Sequence, residues 1–289
     1  MYIVGGTASK STAEDLAKNL KMPLANTTAH RFPDNEFYFR ILDDIKGEDV
    51  VIIQTTYPDN NIIELLLMQE AIKDAQAQSI TVIMPYFGYS RQDQRFQKGE
   101  PISAKVLAEH ISMKADKIFS IDPHKEYIMD FFTVPSASCT ALFEIATYLQ
   151  KTKKIDLVLA PDKGAMARAK QASEIIQCEY DYLEKTRIDG KTVNIKPKNL
   201  DAKAKNAVII DDIISTGGTM AKAIAQLKNQ GANKIYAACT HGVFAGEAKQ
   251  KLQSSGCDEI LCTDTIHNEF SKIKTAPALA EALSKKEIF

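Results

Sequence analysis

From Ile3 onward, short runs of apolar, mostly β-branched residues alternate with amphipathic helical stretches. The runs are Ile3-Val4, Val50–Ile53, Ile80–Ile83, Lys117–Ile121, Leu157–Leu159, Ala207–Ile210 and Lys234–Ala238. Helical spacing of apolar residues occupies stretches near 11–20, 61–77, 102–114, 140–150, 164–177, 217–230 and 246–254. A strand that is apolar at successive positions has no polar face to give to water, so both its faces must be covered. Strands separated by helices pair in parallel, and the helices supply the cover. The expected fold class is therefore α/β, with mostly parallel sheets flanked by helices. The alternation runs longer than one small sheet requires, and 289 residues suffice for two cores. The most polar break near the middle is Lys151-Thr152-Lys153-Lys154. It predicts two similar domains, 1–145 and 146–289.

Charge narrows the partners. Lys and Arg number 36 against 37 Asp and Glu, so there is no general basic footprint for nucleic acid or an anionic membrane. An anionic ligand would have to be held by locally placed cations, amides and metal. No apolar run approaches the ~20 residues of a membrane span. The five cysteines, Cys139, Cys178, Cys239, Cys257 and Cys262, are odd in number and form no Cys-x-x-Cys pair. They read as free thiols in a reducing compartment. Met1–Gly6 has no basic leader, so a cytoplasmic location is expected.

In sheets of this kind ligands collect at the carboxyl ends of the strands. There the strongest local signal is Val208-Ile209-Ile210-Asp211-Asp212-Ile213-Ile214-Ser215-Thr216-Gly217-Gly218-Thr219, followed by helical spacing. A buried strand delivers two adjacent carboxylates, then glycines and hydroxyls open a helix. Ser215, Thr216 and Thr219 offer hydroxyl donors, and Gly217 and Gly218 let the amides close around an anion. The helix N-terminus adds partial positive charge. These residues predict a phosphate cradle distinct from a Walker A loop, whose spacing the chain lacks. Asp211 and Asp212 repel phosphate, which leaves sugar hydroxyls or a hydrated metal as their ligands.

This stretch resembles the phosphoribosyl-diphosphate binding motif of type I phosphoribosyltransferases. Four further segments resemble, in order, those of ribose-phosphate diphosphokinases. They are Phe32-Pro33-Asp34-Asn35-Glu36, Tyr89-Ser90-Arg91-Gln92-Asp93, Asp122-Pro123-His124-Lys125, and Pro161-Asp162-Lys163-Gly164 with Lys185-Thr186-Arg187. Each alone is weak; five in order, over almost the whole chain, are specific. Asn35 stands where the family usually has glycine, and Asn also tolerates a left-handed turn.

The resemblance implies two domains of the type I phosphoribosyltransferase kind. It also implies transfer of the diphosphoryl group of ATP to ribose 5-phosphate with Mg²⁺, in a homo-oligomer whose active sites are shared between subunits. Lys185 and Arg187 would be catalytic, closing over the triphosphate, and Arg187 would also reach the sugar phosphate. The stretch from Lys185 to Asn206 reads as a loop with room for a small hairpin around Gly190. His124 would sit by Mg²⁺ on the ATP phosphates and Asp162 would ligate a second Mg²⁺ near the ribose. Oxygen donors suit that ion better than imidazole, so contact through phosphate or water is the easier route for His124. Lys163, Gly164 and Arg168 would bracket the diphosphate. Phe32, Asp34, Asn35 and Glu36 would take the purine and ribose of ATP, with Arg91 and Gln92 donating to adenine and phosphates. Asp211, Asp212, Ser215, Thr216, Gly217, Gly218 and Thr219 would hold ribose 5-phosphate. His30, His110, His241 and His267 show no partner pattern and are assigned no chemistry.

Two other readings share part of this pattern. A phosphoribosyltransferase would keep the Asp211–Thr219 loop, but needs one such domain and no adenine-type motifs near 32–36 and 89–93. A non-catalytic regulatory relative would alter the catalytic loop, whereas Lys185, Arg187, His124 and the Asp pair are all present.

Overall fold

A computed structural model describes residues 1–187, 193–197 and 200–284, with 185–187 and 193–196 described along the backbone alone. The chain divides into two compact units. The first comprises Met1–Thr140, Thr265–His267 and the C-terminal segment from Thr275; the second comprises Ala141–Asp264 and Asn268–Lys274.

In chain order the first unit contains β1 (Tyr2–Gly5), α1 (Lys10–Leu20), β2 (Thr27–Arg31), β3 (Phe37–Ile41), β4 (Asp49–Ile53) and α2 (Asn60–Asp74). There follow β5 (Ser79–Met84), α3 (Ser103–Ser112), β6 (Lys117–Ile121) and β7 (Ser136–Cys139). Strands β1, β4, β5, β6 and β7 lie in that order in a parallel five-stranded sheet. One core sets Val50, Ile52, Ile80 and Val82 against Leu65, Met68 and Ile72 of α2 and Ala104, Ala108 and Ile111 of α3. Strands β2 and β3 form a separate antiparallel hairpin.

The second unit contains α4 (Leu142–Thr152), β8 (Leu157–Ala160), α5 (Met166–Ile176), β9 (Glu179–Arg187), β10 (Val193–Pro197) and β11 (Asn206–Ile214). It continues with α6 (Gly218–Asn229), β12 (Lys234–Gly242), α7 (Ala248–Ser254), β13 (Glu259–Thr263) and β14 (Ser271–Ile273). The strand order is β10-β9-β8-β11-β12-β13-β14, parallel except for the β9–β10 pair. The period-2 geometry of β11 explains its unbroken apolar run. Ala207 and Ile209 enter a core with Ile224 and Leu227 of α6 and Leu252 of α7. Val208 and Ile210 enter the opposite core with Ile145 and Leu149 of α4 and Ala169 and Ala172 of α5. A last helix, α8 (Ala276–Ser284), belongs to the first unit, where it packs on α1 and β7.

The α/β class and two-domain architecture agree with the sequence reading, but the division does not fall at 145/146, which would cut α4. Leu142, Ile145, Ala146 and Leu149 all pack in the second unit's core. The polar run at 151–154 ends α4, and is no linker. Lys153 pairs with Glu259 and lies 5.7 Å from the Tyr236 ring centroid, both in the same unit. The stretch read as a loop from Lys185 also differs. Strand β9 continues to Arg187 and pairs antiparallel with β10, while Gly190 lies outside the described residues. No described helix is long and apolar enough to cross a membrane.

Candidate functional site

In the second unit, β11 runs past its buried apolar core to Ile214 because β12 continues beside it, pairing Asp211 with Cys239 and Ile213 with His241. The two carboxylates therefore stand on the last residues of the strand. The Asp212 amide donates to Asp211 Oδ1 at 2.9 Å, and the Ile213 amide to Asp212 Oδ1 at 2.9 Å. Burial at the strand end pushes the Asp211 carboxyl up to about 8. The Asp212 carboxylate adds to that shift, while its amide and the charge of Arg168 oppose it. A carboxyl that holds its proton can donate a hydrogen bond as well as accept one.

The chain then turns through Ser215, Thr216 and Gly217 into α6. Gly217 adopts φ +68°, and a Cβ there would lie 3.4 Å from the Ala248 carbonyl oxygen and from Leu252 Cγ. The backbone conformation calls for glycine, while these contacts alone would admit a methyl group. Gly218 differs, because a Cβ there would meet nothing within 4 Å. The space in front of the first turn of α6 is open. Ser215 is half-buried while Thr216 and Thr219 are exposed, so two hydroxyls border that space. The first amides of any helix lack intrahelical acceptors. The turn from Ser215 to Gly217 and the first residues of α6 thus stand together at the end of β11.

Strand β8 adjoins β11, and its following loop carries Asp162. Asp162 Oδ1 accepts from the amides of Gly164 at 2.8 Å and Ala165 at 3.2 Å, capping the short turn that leads into α5. Asp162, Lys163 and Gly164 are exposed. On the first turn of α5, Arg168 extends Nη1 to 3.5 Å from Thr240 Oγ1 of β12, at the long end of a hydrogen bond. Among the described residues no group of three His, Cys, Asp or Glu stands close enough to hold a metal. Asp162 offers one exposed carboxylate, and Mg²⁺, which keeps most of its shell from water and phosphate oxygens, takes only one or two. Lys185 and Arg187 lie at the end of β9, their backbones opposite Ile195 and Val193.

The first unit gathers the remaining predicted residues. Phe32–Glu36 form the tip of the β2–β3 hairpin, closed by Phe32 N to Glu36 O at 2.9 Å and Asn35 N to Phe32 O at 2.8 Å. Asn35 takes φ +72°, the left-handed conformation that its position demands. The Glu36 amide donates to Asp34 Oδ1 at 3.1 Å, and all five tip residues are exposed. After β5, Arg91 is exposed, whereas Gln92 Oε1 accepts from Ser103 Oγ at 2.6 Å at the start of α3. Half of Gln92's amide is thus engaged in structure. Asp93 is buried and accepts from the Tyr127 hydroxyl, which raises the Tyr127 pKa. His124 is half-buried just beyond β6, behind Asp122, whose amide donates to Cys139 O at 2.8 Å. Arg91, Gln92 and His124 thus follow the adjacent strands β5 and β6 at their carboxyl ends.

Sequence reasoning missed a cavity of about 440 Å³ beside Tyr89, lined by Asp59, Ile63, Ser103 and Val106 among others. Ile63 and Val106 are unremarkable helical apolar residues, so only the fold could reveal that they leave a hollow. It missed Thr240 as well, since a lone threonine within a buried strand gives no sign of its neighbour.

Residues 1–114 match the N-terminal domain of ribose phosphate pyrophosphokinase, and residues 140–273 match the phosphoribosyl transferase domain. A ribose-phosphate pyrophosphokinase of Methanothermobacter thermautotrophicus is 38% identical over 283 residues, covering 97% of this chain and 99% of that protein. One of Pyrococcus furiosus is 38% identical over 283 residues, covering 97% of this chain and all of that protein. In the solved structure of phosphoribosylpyrophosphate synthetase from Mycobacterium smegmatis, the likeness spans 98% of this chain and 97% of that one. The TM-score is 0.83 at 29% identity.

Proposed function

Because the chain belongs to the ribose-phosphate pyrophosphokinase family, we propose that it transfers the diphosphoryl group of ATP to the C1 hydroxyl of ribose 5-phosphate. The products are 5-phosphoribosyl 1-diphosphate and AMP, and the first feeds nucleotide biosynthesis in the cytoplasm. The C1 oxygen attacks the β-phosphorus and loses its proton, while the bond from that phosphorus to the oxygen bridging toward the α-phosphate breaks. The observation that carries this reading is the pair Asp211-Asp212 directly preceding a left-handed Gly217 and the open first turn of α6. The turn suits the 5-phosphate and the carboxyls suit the sugar hydroxyls.

Such transfers depend on positioning and charge neutralisation. Phe32, Asp34, Asn35 and Glu36 hold the purine and ribose of ATP, and Arg91 with Gln92 orients its adenine and phosphates. Lys185 and Arg187 neutralise the charge that moves to the bridging oxygen as AMP leaves. Asp162 would hold Mg²⁺ by a carboxylate oxygen with His124 beside it, and the ion would further neutralise the phosphates. The active sites are shared between subunits of a homo-oligomer, with the hairpin tip serving a neighbour. Incubation with ATP, Mg²⁺ and ribose 5-phosphate, followed by chromatography, tests the reaction. AMP formed only when the sugar is present supports it; ADP would overturn it.

A further inference from the structure

Three rings stand together on one face of the β2–β3 hairpin, and only one of them entered the purine reading. His30 and Tyr38 are direct cross-strand partners. Their centroids are 4.8 Å apart and their planes are tilted by 32°. Phe32, two residues beyond His30, meets both edge-on, at 5.1 Å and 77° from His30 and 6.0 Å and 74° from Tyr38. The next register pair, Arg31 and Phe37, alternates to the other face, where the guanidinium lies 5.2 Å from the Phe37 centroid. The two faces of the hairpin are thus sorted.

Phe32 is 45% exposed, so no core packing orients its ring. A bare exposed aromatic samples several rotamers on the picosecond to nanosecond scale. Edge-to-face contacts with two adjacent rings restrict it and leave the rest of the ring uncovered. A ring already held in place loses less freedom when a ligand stacks on it. Cross-strand neighbours are the local means by which a hairpin can do this.

We propose that His30 and Tyr38 are positioning residues for the nucleotide donor, bracing Phe32 in the orientation that receives the purine of ATP. This rests on the reading of Phe32 as the purine-stacking residue. His30 and Tyr38 act through Phe32, so their effect falls on ATP capture and leaves the sugar site alone.

The test is steady-state kinetics with ATP and ribose 5-phosphate varied separately. His30→Leu and Tyr38→Leu raise the KM for ATP about 2- to 10-fold, with kcat and the KM for ribose 5-phosphate unchanged. Tyr38→Phe restores the wild-type value, because the contact is made by the ring. In Phe32→Ala the KM for ATP also rises, and adding Tyr38→Leu to it has no further effect, since the ring to be braced is gone. If Phe32→Ala raises the KM for ATP while His30→Leu and Tyr38→Leu do not, the brace is overturned and the purine reading stands. If Phe32→Ala leaves the KM for ATP unchanged, the purine reading falls and the brace with it. Additive losses in the Phe32→Ala/Tyr38→Leu double variant also overturn the brace.

Discussion

The amide of Asp212 donates a 2.9 Å hydrogen bond to the carboxylate of Asp211, so the two acidic residues are locked together by their own strand. The arrangement has a consequence for stability. Burial and the neighbouring carboxylate raise the Asp211 pKa from 3.8 to about 8. Between those values the folded chain binds more protons at this site than the unfolded chain does. Its contribution to stability therefore falls as pH rises from about 4 to about 8. Asp211→Asn removes the titration. The variant should gain in melting temperature over wild type, and the gain should grow from pH 5 to pH 8. A difference that stays constant across that range would mean Asp211 titrates as an ordinary carboxylate.

Adjacent glycines in the cradle should fail in different ways. Gly217 is left-handed at φ +68°, so Gly217→Ala should cost about 1–3 kcal/mol in denaturant unfolding. Gly218→Ala fills open space at the start of α6 and should leave the fold as stable as wild type or slightly more so. Its added methyl group stands where the 5-phosphate is proposed to approach, so ribose 5-phosphate binding should weaken by calorimetry. Equal unfolding free energies for the two variants would refute the distinction.

Helix α8 supplies a third case. Leu279 is fully buried on this helix, which returns to pack in the first unit beside α1. Leu279→Ala should destabilise by about 2–5 kcal/mol, as other buried leucine truncations do. Near-wild-type stability in urea would show that the first unit does not depend on its C-terminal helix.

These positions also show what the sequence reveals about such a fold. Val208-Ile209-Ile210 is apolar on both faces because each face meets a core, and that run was readable directly. So was the turn into α6, since Gly217-Gly218 follow the carboxylates Asp211-Asp212 at a strand end. The β2–β3 hairpin was not readable. Its residues Ala29-His30-Arg31 are mostly exposed, and its aromatics Phe37-Tyr38-Phe39 are half-buried at successive positions, so no period-2 signal appears. Strand β13 escaped notice because Glu259 opens it, yet Glu259 is there to pair with Lys153 and Lys272. The end of β9 reads as loop because charged residues, Lys185 and Arg187, stand in it, and only its pairing with β10 declares the strand. Patterning reports burial, and it is silent where charged or exposed residues stand within a strand.

The proposed sharing of the active site can be tested by counting. The hairpin tip at Phe32–Glu36 presents an aromatic ring and two carboxylates to solvent, and its residues belong to the other unit from the Asp211–Thr219 cradle. One inactive parent combines Phe32→Ala with Glu36→Ala; the other combines Lys185→Ala with Asp212→Ala. In a two-fold pair of unlike subunits, one site receives an intact tip and an intact body while its mate receives both defects. With random mixing about half the pairs are hybrids and half of their sites are whole, so roughly a quarter of wild-type activity should return. Co-expression with two different tags lets hybrids be purified and their composition verified. Verified hybrids as inactive as the parents would mean that each hairpin serves its own subunit.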